Sequence, residues 1–291
     1  MTAREFCSVA ALRRGDSPVA SAAPGGRWLL VEHPGPWSVH AFTRSPALSL
    51  VARRAAGIGG RAVLIRRPGG HVPLRGQPPP RRRWALVDAR PGRECTWWGS
   101  FADEAELLDV PLDPPRADPT EEPVFLVCTQ GRHDACCAIN GRPVASALAT
   151  AYPEQTWECS HIGGCRFAAN LVLLPHGLVH AWVTPDSAVD LAAAYRGGVT
   201  VPDTLRGRSS VSTPVQAAQH EARTRLGLTG VDELNPLGVE QLDQHSWLVR
   251  LAHPDGELTV RVDGGWSEPD LLTCQAGQPR RMRVFRASIA P

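Results

Sequence analysis

The chain has 291 residues, 43% of them hydrophobic and 21% charged, with a formal net charge of +2. Such a composition excludes a fibrous or wholly disordered protein, and the length allows two or three domains. All basic residues are arginine and nearly as many acids balance them, so nothing electrostatic favours nucleic acid or an anionic membrane as a partner.

At the N-terminus, MTAREFCSVAALRRGDSP is cut by charges before the apolar core of a signal peptide forms. No later run approaches the roughly eighteen apolar residues of a membrane span. The expected location is the cytoplasm, where thiols stay reduced and clustered cysteines bind metal more often than they form structural disulfides. A strand is predicted at 27–31 (RWLLV), a helix at 48–56 stopped by Gly57, and strands at 62–66, 84–88 and 95–98. A short helix follows at 103–108. Residues 77–83 (QPPPRRR) read as a stiff loop with its arginines in solvent.

Two Pro-rich polar stretches, 111–123 and 197–214, read as boundaries between three parts, 1–112, 122–198 and 212–291. The middle part repeats the order of the first: a strand at 124–128, a helix at 143–152 with proline at its first position, strands at 156–159, 171–174 and 178–183, and a helix at 187–195. This alternation predicts an α/β fold, with the first two parts as a degenerate duplication of a thioredoxin-like layer. The third part is expected to be a small α+β domain. It has a helix at 215–226 and strands at 247–252 and 258–262 joined by HPDG, a hairpin turn.

Five of the eight cysteines (128, 136, 137, 159 and 165) fall in the middle part. Soft thiolates share charge with ferric iron, and a histidine in their company removes one negative charge and raises the reduction potential. Two hairpins offer such ligands, CTQGRHDACC and HIGGC. Within the first, either Cys136 or Cys137 reaches a metal by a small shift of the turn. Gly131 allows a tight loop, Asp134 is placed to cap a helical turn, and Gly163 and Gly164 remove side-chain bulk beside His161 and Cys165. Cys159 alternates with Trp157 on a strand and reads as a buried small residue, while Cys7, Cys95 and Cys274 are too scattered to argue for a second site.

The segments CTQGRHDACC, WECSHIGGCRFAANLVLLPHG and RWLLVEHPGPW resemble the sucrase/ferredoxin-like proteins, whose core resembles thioredoxin-like 2Fe-2S ferredoxins. Cluster-binding members carry Cys-x8-Cys and His-x3-His. The resemblance implies that Cys128 and Cys137 hold one iron while His161 and residue 165 hold the other. Here residue 165 is Cys, which gives a Cys3His set. The potential expected of it lies between roughly −400 mV for plant-type ferredoxins and the range of about −150 to +300 mV for Rieske centres. The resemblance also suggests that Asn170 binds loop backbone.

The reading is therefore a 2Fe-2S protein for one-electron transfer or redox sensing, more an electron carrier than a stand-alone enzyme. Rival readings are a zinc-binding structural protein and a metal-free thioredoxin-like thiol–disulfide protein. Sugar hydrolysis is disfavoured, since Asp103, Glu104 and Glu106 lie on one solvated helix face rather than flanking a pocket. The segment GIGGRA (57–62) follows a helix and has the wrong spacing for a dinucleotide fingerprint. Electrons must then come from a separate reductase and pass to a separate acceptor.

Overall fold

Residues 5–69, 81–113 and 118–290 are described by a computed structural model. Helix α1 (Cys7–Arg14) leads into β1 (Arg27–Glu32), α2 (Pro46–Gly57), β2 (Gly60–Arg66), β3 (Arg82–Asp88) and β4 (Cys95–Phe101). There follow β5 (Val124–Cys128), α3 (Ala135–Ala151), β6 (Thr156–Cys159), β7 (Leu171–Leu174), β8 (Leu178–His180), α4 (Pro185–Arg196) and β9 (Leu205–Arg208). Helix α5 (Thr213–Leu226) and strands β10 (Pro236–Gln241), β11 (Ser246–His253), β12 (Gly256–Trp266) and β13 (Arg283–Ile289) complete the chain. The fold is mixed α/β, and no described helix is long and apolar enough to cross a membrane.

Nine strands form one sheet in the order β4-β3-β1-β2-β6-β5-β7-β8-β9. Within the first quartet β1 runs parallel to β2 and antiparallel to β3, which pairs antiparallel with β4. The second quartet has the same arrangement: β5 runs parallel to β6 and antiparallel to β7, which pairs antiparallel with β8. The quartets join where the carboxyl ends of β2 and β6 pair antiparallel, Ile65 opposite Cys159 and Arg66 opposite Glu158.

Beyond that narrow seam the sheet curls over. Trp28, Leu30, Val63 and Ile65 of the first quartet share one core with Leu126, Trp157, Val172 and Leu174 of the second. Trp98 on β4 stacks on Trp157 on β6 with ring centroids 5.7 Å apart, and the Trp28 indole donates to Ser209 Oγ at 3.2 Å. On the outer faces, α2 packs over Leu29, Val31 and Leu64, while α3 and α4 cover Phe125, Val127, Leu171 and Leu173. Burial on both faces explains why β1 and β5 read as unbroken apolar runs rather than alternating ones.

Local signals mark several helix starts. Ser45 caps α2 by accepting from the Leu48 amide, with Pro46 in the first turn, and Thr184 and Ser187 form a reciprocal cap at α4. The acids expected on a helix face instead cap a 3-10 turn at Glu104–Asp109, where Asp103 and Glu106 form the capping box.

Three expectations need correction. Helix α3 starts at Ala135, not at Pro143, because Asp134 caps it; Pro143 lies inside the helix at an exposed position. The stretch 197–214, expected to link two parts, contributes β9 to the large sheet, and its polar Arg206 and Arg208 are 2% and 3% exposed. Of the loop 77–83, residues 77–80 lie outside the described residues. Its Arg82 and Arg83 open β3, lying over Phe101 at 4.4 Å and Trp98 at 4.0 Å rather than free in solvent.

The third part holds the expected hairpin, with His253 opposite Gly256, inside a four-stranded antiparallel sheet. Helix α5 packs Val215, Ala218 and Ala222 against Val249, Leu251, Val260 and Val262 of that sheet. Its Gln216 also accepts from the Ala22 amide at 3.2 Å and donates to the Ala22 carbonyl at 3.0 Å, tying the helix to the chain just before β1.

Candidate metal centre

Strands β5 and β6 run parallel, so the loops leaving their carboxyl ends rise side by side, the usual place for a ligand in an open α/β sheet. Cys128 is the last residue of β5, and the loop behind it turns directly into α3. Asp134 accepts from the Cys136 amide at 3.0 Å, which starts the helix and points Cys137 back toward Cys128. Close approach is possible only because residue 141 is glycine: a Cβ there would run into the Cys128 carbonyl oxygen.

The second loop leaves β6 and is held by buried polar side chains. Gly163 and Gly164 have φ of +92° and +77°, conformations that disfavour any other residue. Asn170 donates to the Gly164 carbonyl at 3.0 Å, as the sequence suggested. Arg206, reaching in from β9, donates to the Gly163 carbonyl at 3.0 Å and to Asn170 Oδ1 at 2.7 Å. Gln130, 3% exposed, ties the two loops together by accepting from the His161 amide at 2.6 Å and donating to the Val39 carbonyl, in the loop after β1, at 3.1 Å.

These constraints bring the predicted residues together. Ligand atoms of Cys128, Cys137 and His161 lie within 4.8 Å of one another, as do those of His133, His161 and Cys165. The Cys165 sulfur is 3.5 Å from His161 Nδ1. All three cysteines are buried, and the two imidazoles stack with centroids 3.6 Å apart at the half-exposed rim. His133 therefore lies in the candidate site beside Cys165.

Charge is shared across the group. Hydrogen bonds from Cys137, followed by those from histidine, hold the Cys128 and Cys165 thiols down at about 5 and about 4, against the opposing effect of burial. Cys137, between those two sulfurs, is pushed up. Burial lowers the His161 pKa, but the Cys128 and Cys165 sulfurs outweigh it and raise the ring to about 9. Sulfurs and imidazoles this close together make a donor set that could hold a metal ion.

Of the other cysteines, Cys159 is fully buried on β6, as expected of a small core residue. Cys136 turns away from Cys137, and its sulfur lies 3.6 Å from that of Cys7 and 3.3 Å from that of Cys274. Cys7 and Cys274, expected to be too scattered to argue for a second site, are gathered with Cys136 by the fold. Cys95 remains apart on the β4 edge, 3.1 Å from the Arg93 carbonyl.

With that geometry in view, comparison with known proteins is informative about family only. The profile of the family described as Sucrase/ferredoxin-like matches residues 18–207, and the chain belongs to that family. No curated protein and no solved structure matches the chain.

Proposed function

We propose that this sucrase/ferredoxin-like chain holds a 2Fe-2S cluster on Cys128, Cys137, His161 and Cys165 and carries single electrons. The observation behind this reading is the convergence of three buried sulfurs and one imidazole from two loops at the carboxyl ends of β5 and β6. The donor set suits the group: soft thiolates with one borderline nitrogen, and no carboxylate among them. Such a cluster, when bound, supplies a one-electron couple.

The protein's own part is to fix the two loops, exclude water from the sulfurs and expose one edge. Buried Arg206 and Asn170 hold the second loop, Gln130 fastens it to the first, and α3 seals the site from below. His133 and His161 form the accessible rim, where a reductase and an acceptor protein would approach. Such a carrier is served by a separate reductase and acceptor in the cytoplasm, where thiols stay reduced.

Anaerobic purification should yield iron and acid-labile sulfide in equal amounts, with a paramagnetic signal on reduction. Cys128→Ser or Cys165→Ser should lose both elements. One observation favours a second reading: ligand atoms this close together also suit a single tetrahedral zinc ion. Zinc at this site without sulfide would replace the electron-carrier reading with a structural one. Against the thiol–disulfide reading, adjacent Cys136 and Cys137 fall in different groups of ligand atoms.

A further inference from the structure

We propose that Cys7, Cys136 and Cys274, with Asp134, form a second metal site, for a single zinc-class divalent cation. It is distinct from the site of Cys128, Cys137, His161 and Cys165. The ligand atoms of all four residues lie within 4.8 Å of one another. They come from α1, from the start of α3 and from the loop between β12 and β13. Cys7 and Cys274 also lie outside the span of residues 18–207 matched by the family profile.

The geometry suits one ion. Zinc–sulfur bonds of about 2.3 Å in a tetrahedron place sulfurs about 3.8 Å apart. Here Cys7 and Cys136 are separated by 3.6 Å and Cys136 and Cys274 by 3.3 Å. Asp134 Oδ2 lies 3.6 Å from the Cys7 sulfur, a spacing that suits a fourth ligand. Its two oxygens accept from the Cys136 amide at 3.0 Å and the Cys274 amide at 2.9 Å, which aims the carboxylate and leaves lone pairs over.

A supporting shell is in place. Ser8 Oγ donates to the Cys136 sulfur at 3.3 Å, and Asn140 donates to Ser8 Oγ at 3.3 Å. The Cys7 amide donates to the Cys274 sulfur at 3.4 Å. Donors aimed at ligand sulfurs are what a thiolate metal site needs around it.

An ion here would staple α1 and the loop between β12 and β13 to the start of α3. The loop carrying Cys274 is already tied down by Arg14 to Asp270 at 2.9 Å and by Gln275 to the Arg132 carbonyl at 3.2 Å. Arg166, next to Cys165, contacts Met282 at the end of the same loop.

The test is elemental analysis of the full-length protein together with titration of metal-stripped protein with Zn2+ and Co2+. Wild type should bind one zinc in addition to whatever the first site holds, and cobalt should give the spectrum of a tetrahedral thiolate site. Cys7→Ser and Cys274→Ser should weaken zinc binding roughly tenfold or more, since loss of a supporting hydrogen bond alone weakens metal sites by that much. Iron and sulfide should remain unchanged in both. Cys274→His, which keeps a ligand, should retain zinc, so that a folding defect is separable from ligand loss. Conversely, Cys128→Ser should leave this zinc in place. Zinc binding that Cys7→Ser and Cys274→Ser leave unaltered would overturn the proposal, as would a disulfide among these three cysteines in freshly purified protein.

Discussion

His180 shows how much a single buried side chain decides. It is fully enclosed on β8, with Nδ1 2.9 Å from Thr204 Oγ1, and burial lowers its pKa from 6.5 to about 4. Because the folded value is the lower one, the unfolded chain takes up the proton first. The stabilisation is complete above about pH 6.5 and is lost as pH falls toward about 4, roughly 3 kcal/mol in all. Urea titrations at pH 7.5 and 4.5 should record the loss, and His180→Gln should flatten the profile. An unchanged midpoint in wild type would mean that the ring is hydrated. Arg206 is equally decisive at the candidate metal centre, since its guanidinium donates to Gly163, Asn170 and Ser21 from inside the protein. Arg206→Leu should cost about 3 kcal/mol in chemical denaturation, by orphaning those acceptors, and should lower bound metal. Arg206→Lys should restore only part, having a point charge in place of a fork. Normal metal content in the leucine variant would count against Arg206 as the clasp of that loop. The candidate sulfurs were legible in the sequence through their residue type and through the resemblance of their segments to a known family. Arg206 and Gln130 were not, since nothing near them in the chain marks the loops they serve.

Among the helices, α3 is one that the sequence misrepresented. Pro143 suggested a helix start, yet Asp134 caps the helix earlier and the proline sits in its exposed interior. There the Ile139 carbonyl loses its usual amide donor, a defect worth up to about 3 kcal/mol in a helix interior. Pro143→Ala should therefore stabilise the protein by about 1 to 3 kcal/mol in urea unfolding, without changing metal content. A destabilised variant would show that the proline ring packs productively. Most other strands and helices were legible, because β1, β5 and β7 are apolar runs of strand length bounded by turn formers, and α5 is followed by Gly227 in a left-handed cap. Strand β9 was not: its arginines look like solvent residues until Glu94 and the Ala89 carbonyl meet Arg208.

For the molecule as a whole, the decisive feature is the curl that sets the two quartets face to face. Backbone pairing between them is a short seam, but Trp28, Trp98 and Trp157 lie in the core that both supply. Residues 1–112 expressed alone should therefore expose one side of their sheet and stay aggregated or unfolded. Hydrogen exchange on the intact protein should show both quartets opening with one common free energy. A well-protected, monomeric fragment would show that the first quartet folds independently.

The sequence by itself determined the α/β class, the position of most strands and the repeated order of elements. These depend on periodicity, capping and spacing within a few residues of one another. Only the tertiary structure decided that Cys136 leaves its neighbour to join Cys7 and Cys274, that His133 stacks on His161, and that Arg206 clamps the second loop. Each of these follows from the packing of segments far apart in the chain, where burial and hydrogen-bond satisfaction choose partners that no local pattern specifies.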